Sequence, residues 1–304
     1  MAEPPRSPGA NSATGPDWRR LYPFESHFVE TECGRIHYVD EGSGPAVVLL
    51  HGNPTWSFMF RDLIRVLADS GRRAIAVDHI GCGLSDKPQA LSTYRLARHI
   101  GNVEQVLDSL GLERADLVLH DWGGAIGMGC AVRRPDRFGR IVLMNTAAFF
   151  IPRCPWRIRL ARLPGIGEIA VRGFNAFARA ALRMASAAPE RLTPEVRAGY
   201  LAPYGSYHDR VATLGFVRDI PFSPRHPSRA TLEAIQNGLD TLAGHRILLC
   251  WGMRDFVFTP EFLEIWRGYY PDAEVAEFPE AGHYLLEDAR EEVNRVIREF
   301  LLKP

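Results

Sequence analysis

The sequence predicts an α/β domain: a mostly parallel eight-stranded sheet with helices on both faces and an inserted helical cap. Three observations predict it. Continuous apolar runs recur at 45–50, 73–77, 115–119, 140–144 and 246–251, as strands buried on both faces require. Segments of helical periodicity separate them, at 57–69, 94–110 and 260–268. Strand–helix alternation at short intervals favours parallel pairing with crossover helices. The alternation then stops from about residue 148 to 226, where Pro155, Pro164, aromatic residues and short helical pieces such as 174–185 replace it. That stretch reads as the cap.

The elements follow in order. Residues 27–31 and 35–39 alternate around Cys33-Gly34 and predict an edge hairpin. Run 45–50 ends in His51-Gly52-Asn53-Pro54-Thr55-Trp56. Run 73–77 ends in a glycine-rich loop that starts at Asp78. Helical patterns return at 228–242 after the cap, and run 246–251 ends in Gly252-Met253-Arg254-Asp255. A last strand at 273–278 leads to Gly282-His283 and a closing amphipathic helix over 285–302. The expected organisation is a tail at 1–17, a core built from 18–147 and 228–304, and a cap at 148–227.

Composition narrows the function. Lys plus Arg and Asp plus Glu both number 36, so no global basic field recruits nucleic acid or an anionic membrane. The five cysteines are odd in number and show no C-x-x-C spacing. Cys130 and Cys250 sit in apolar runs as small hydrophobes, and neither disulfides nor a zinc site is expected. No run reaches the roughly 18 apolar residues of a membrane span. Residues 1–17 are rich in Pro, Ala, Ser and Gly and lack the apolar segment of a signal peptide. The expected setting is the cytoplasm, with no resident metal or organic cofactor. Nothing in the pattern fixes the oligomeric state.

The chemistry centres on Leu117-Val118-Leu119-His120-Asp121-Trp122-Gly123-Gly124. An apolar strand ends at Asp121, and a helix of small residues begins at once. A sharp strand-to-helix turn presents its middle side chain at the carboxyl end of the sheet, the geometry of a nucleophile elbow. A carboxylate there suits displacement at saturated carbon, with formation of an ester to the protein. Asn53, Asp78, Asp255 and His283 fall at other strand ends, where open α/β sheets bind ligands. Taken singly, Asp121 also has a reading as a helix cap, the lesser one, while Asp255 reads equally as a turn residue and His283 as a loop histidine. The order Asp121, Asp255, His283 and their shared placement select a nucleophile–acid–base triad. Asp78 reads as a structural residue that ties down its loop.

The residues from about Tyr22 onward resemble α/β-hydrolases of the haloalkane dehalogenase type. H-G-N-P-T-W at 51–56, D-H-I-G-C-G-L-S-D-K-P at 78–88, H-D-W-G-G at 120–124 and W-G-M-R-D at 251–255 carry the resemblance. It implies Asp121 as nucleophile, His283 as base and Asp255 as the acid that orients it. It further implies that Asn53 and Trp122 cradle a leaving halide, and that their backbone N–H groups form the oxyanion hole. Some members place the acid after the sixth strand; the matching position here is Asn145, which leaves Asp255. Leu119 departs from the pattern, since a small residue often stands two before the nucleophile. MNTAAF at 144–149, GFNAFARAA at 173–181 and LAPY at 201–204 resemble one branch of that family. This branch is also similar to the β-lactone decarboxylases of bacterial long-chain olefin biosynthesis.

The expected function is therefore hydrolysis of a carbon–halogen bond in a small apolar substrate, through an alkyl ester on Asp121, giving alcohol and halide. Three alternatives stand beside it. A cis-β-lactone decarboxylase would use the same five residues. An epoxide hydrolase would draw acid groups from the cap tyrosines Tyr200, Tyr204 and Tyr207. A hydrolase-fold receptor without turnover would have no use for all five groups together. Of Phe149, Phe150, Trp156, Phe174, Phe177, Met184 and Phe216 in the cap, some should line an apolar access path and most should be cap core.

Overall fold

The computed structural model describes residues 16–151 and 155–303. Nearly all of the expected tail, together with Pro152 and Cys154, lies outside the described residues. Eight strands form one sheet: β1 (His27–Thr31), β2 (Gly34–Glu41), β3 (Ala46–Leu50), β4 (Arg73–Val77), β5 (Ala115–Asp121), β6 (Phe138–Thr146), β7 (Ile247–Gly252) and β8 (Glu274–Phe278). Their order is β1-β2-β4-β3-β5-β6-β7-β8. Pairs β1–β2 and β2–β4 are antiparallel and the rest are parallel. The expected sheet is present, with its hairpin at the edge.

The continuous apolar runs are continuous because both faces are covered. All five residues of β3 and all seven of β5 are buried. Val48, Leu50, Leu117 and Leu119 enter one core; Val47, Leu49 and Val118 enter the other. That alternation is the period of two of a strand. The first core receives α2 (Leu96–Ser109) and α3 (Trp122–Arg133), and the second receives α1 (Arg61–Asp69). Each fully buried aliphatic side chain contributes about 1.5–3 kcal/mol.

Between β6 and β7 the described residues form α4 (Trp156–Ala161), α5 (Ala176–Met184), α6 (Pro194–Leu201), α7 (Val211–Asp219) and α8 (Arg229–Gly238). After β7 come α9 (Pro260–Tyr269), α10 (Leu285–Asp288) and α11 (Arg290–Leu302). Two expected helices are broken. The helix expected from Ser57 begins as a 3₁₀ turn, Ser57–Phe60, and becomes α only at Arg61. The closing helix is interrupted at Ala289 (φ −128°, ψ 39°). Just before it, the carboxylate of Asp288 accepts the N–H groups of Gly282 and Ala187, at 2.7 and 2.8 Å. That anchorage fixes α10 to the loop before it, so its axis does not run on into α11.

Candidate active site

The elbow is built by close packing behind Asp121. Asp121 has φ 51° and ψ −124°, in a region costly for a side-chain-bearing residue. The following glycines let α3 approach the sheet. A Cβ on Gly123 would overlap the Leu50 carbonyl, and one on Gly124 would overlap the Thr146 side chain. A Cβ on Gly52 would collide with the Asp121 carboxylate itself. The Thr146 hydroxyl donates to the Asp121 carbonyl and holds the turn from the β6 side. The crowding expected at Leu119 is relieved on the helix: Gly127 leaves the space that the Leu119 methyl groups fill.

Asp121 is buried, and its two oxygens have different surroundings. Oδ1 accepts the backbone N–H of Asn53 at 2.7 Å, and the carboxylate also takes the Trp122 N–H. Oδ2 lies 3.9 Å from His283 Nε2. Burial pushes the Asp121 carboxyl above its ordinary range, opposed by His283 and the two N–H donors. His283 Nδ1 meets Asp255 Oδ2 at 2.8 Å. The other Asp255 oxygen accepts the Val257 N–H at 2.7 Å, which fixes the carboxylate plane. Burial would depress the His283 imidazole, but the Asp255 charge and hydrogen bond, with Asp121 behind, raise it above its ordinary value. The five residues singled out in the sequence thus meet at the carboxyl ends of β3, β5, β7 and β8.

Asn53 and Trp122 line the cavity in front of Asp121. The Asn53 amide gives one N–H to the Thr213 carbonyl at 3.2 Å, which leaves its second N–H for a ligand. Its oxygen is buried without a partner among the described residues. The Trp122 ring rests against Phe216 at 5.3 Å. Asp78 is fully buried and accepts the N–H groups of Ser57 and Leu84 and a bond from His37, as a structural residue should. Asn145 binds the end of β7. It exchanges two hydrogen bonds with Gly252 and so pins the loop that carries Asp255.

The cavity has a volume of about 360 Å³ and is lined almost wholly by apolar side chains. Phe149, Phe150, Phe177 and Met184 line it as part of the expected path. Trp156 and Phe174 do not; they are 65% and 72% exposed, so they belong neither to the path nor to the cap core, the two places expected for the cap aromatics. None of the three cap tyrosines lines the cavity. Tyr200 donates to Glu287, Tyr204 donates to the Thr55 carbonyl, and Tyr207 lies exposed against Arg172. Sequence reasoning missed two neighbours of the base. Tyr284 lines the cavity beside His283. His120 is buried, and its Nε2 donates to the His283 carbonyl at 2.9 Å. Their only signal was adjacency to Asp121 and His283.

Fold and site define a class. A family model described as the alpha/beta hydrolase fold matches residues 45–289, and the chain belongs to that family. It is 43% identical over 286 residues to a cis-3-alkyl-4-alkyloxetan-2-one decarboxylase of Shewanella oneidensis, covering 92% of this chain and 89% of the relative. It is 34% identical to haloalkane dehalogenase 2 of Mycobacterium tuberculosis, with 92% and 96% covered. Among solved structures, the haloalkane dehalogenase DatA of Agrobacterium tumefaciens C58 is similar at a TM-score of 0.82 and 30% identity, with 91% and 96% covered.

Proposed function

We propose that the protein is a decarboxylase of cis-3,4-dialkyl β-lactones, acting through a covalent ester on Asp121. The observation that carries this choice of substrate is the near full-length likeness to the cis-3-alkyl-4-alkyloxetan-2-one decarboxylase. It outranks halide displacement, the function expected first from the sequence.

Asp121 Oδ2 attacks the ring carbon that bears oxygen, from the side opposite that oxygen. The carbon–oxygen bond breaks and its electron pair leaves on the ring oxygen, now part of a carboxylate. The Asn53 amide and the Trp122 indole N–H donate to that leaving carboxylate. The adduct then fragments. The bond to CO2 supplies the electrons of the new double bond, and Asp121 departs as carboxylate. Atoms balance as lactone to alkene plus CO2, with no water consumed. Asp255 and Asp121 shift His283 toward its imidazolium form, which beside Oδ2 stabilises the charge that returns there. Inversion followed by antiperiplanar loss converts a cis ring into a cis alkene.

Halide displacement is the second reading, favoured by the 34% identical dehalogenase. There His283 must be neutral, to deprotonate the water that hydrolyses the ester. The test offers a cis-β-lactone, a 1-bromoalkane and an epoxide side by side and identifies the products. Cis alkene and CO2 from the lactone, at the highest kcat/KM of the three, is the expected result. Alcohol and bromide formed faster from the bromoalkane would overturn the proposal in favour of the second reading.

A further inference from the structure

The zero formal charge hides a local asymmetry. Residues 155–188 hold six arginines and a single carboxylate, Glu168. Glu168 is already bound by Arg218. Arg172 turns to Gln89 and the Tyr207 carbonyl. Arg157, Arg159, Arg179 and Arg183 are exposed and meet no carboxylate among the described residues. The same stretch carries six of the eleven large hydrophobic side chains exposed among the described residues: Trp156, Leu160, Leu163, Ile166, Ile169 and Phe174. So dense an apolar cluster on a surface marks a contact site.

The cluster reaches the catalytic cavity. Arg157, Leu160 and Ile166 are exposed and line the cavity at once, with Phe256 exposed and lining it from another segment. The mouth therefore opens within the cluster. The geometry points to an anionic phospholipid surface as its occupant: residues 156–183 seat the mouth of the cavity on the membrane. Guanidinium groups that meet no carboxylate match lipid phosphates, while Trp156, Ile169 and Phe174 enter the headgroup–acyl boundary. A second copy of this chain fits worse, because a two-fold contact would set arginines against arginines. Resting on the proposed dialkyl β-lactone substrate, the consequence is that alkyl chains dissolved in the bilayer reach Asp121 without crossing water.

The test needs no substrate, so its failure is separable from failure of the catalytic reading. The full chain is sedimented with vesicles of phosphatidylglycerol and phosphatidylcholine, or of phosphatidylcholine alone. Binding should be about tenfold tighter to the anionic vesicles and should be reversed by molar salt. Two variants follow: Trp156→Ser with Ile169→Ser and Phe174→Ser, and Arg159→Glu with Arg179→Glu. Each should weaken anionic-vesicle binding by about tenfold or more while the Tm stays at the wild-type value. If a variant unfolds, brominated lipid in the vesicles should quench the wild-type tryptophan emission, and Trp156→Phe should remove that quenching. Absence of vesicle binding, or equal binding by wild type and variants, overturns the inference. So does loss of a soluble dimer or of a protein complex in the variants without any vesicle binding by the wild type.

Discussion

Asp121 combines a positive φ with a buried charge, and both act against folding. Because burial raises its folded pKa above the unfolded value near 3.9, the ionised form destabilises the fold. That penalty sets in as pH rises from the unfolded to the folded value and persists at higher pH. Asp121→Asn should therefore abolish turnover, by about 10⁴-fold or more. It should also raise the Tm at pH 7 by about 2 °C and lose that gain near pH 3, as read by calorimetry. The raised His283 makes the pH profile of ester breakdown diagnostic. If the imidazolium assists fragmentation, the rate of ester breakdown falls as pH rises through the His283 titration, which Asp255 shifts upward. If neutral His283 activates water, the dependence has the opposite sign. At this scale the sequence was informative where a residue type has few other uses at a strand end, as with Asp121. It was silent on the Thr213 carbonyl that takes half of the Asn53 amide, because that contact spans 160 positions.

The elbow works as an element because glycine spacing and strand packing agree. Leu119 is large where the pattern wants a small residue, and Gly127 supplies the missing volume from the facing helix. The two should therefore couple. Leu119→Ala leaves a cavity and should cost about 2–5 kcal/mol, and Gly127→Ala overpacks and should cost about 1–3 kcal/mol, while together they should cost at least about 1 kcal/mol less than the sum. Chemical denaturation of the four proteins checks this; strict additivity would contradict it. Strands were legible because runs buried on both faces are continuous and apolar. The break at Ala289 was not, since helical periodicity continues through 285–302 while tertiary bonds to Asp288 decide the axis. Nor does periodicity say which side of α4 faces solvent, and so the exposure of Trp156 was not legible.

On the scale of the whole molecule, the helical insertion and the base loop are tied at one point. Asp288 accepts from Ser186 Oγ at 2.6 Å, from the Ala187 N–H and from the Gly282 N–H, while the Tyr284 N–H donates to the Ala185 carbonyl at 2.9 Å. The roof of the cavity and His283 are thus held by one buried carboxylate. Asp288→Ala should lower stability by about 2–3 kcal/mol and lower kcat, with faster amide exchange at 282–284. Unchanged exchange there would show that the tie does not hold the base.

The esterified aspartate is tested most directly in His283→Gln, where fragmentation should slow enough for the adduct to accumulate. The variant is mixed with a cis-3,4-dialkyl β-lactone and quenched over time, and the peptide containing Asp121 is weighed. A gain equal to the mass of the intact lactone, decaying as cis alkene and CO2 appear, is predicted. Substrate consumed with that peptide unmodified at every time, or modified at another residue, would contradict it.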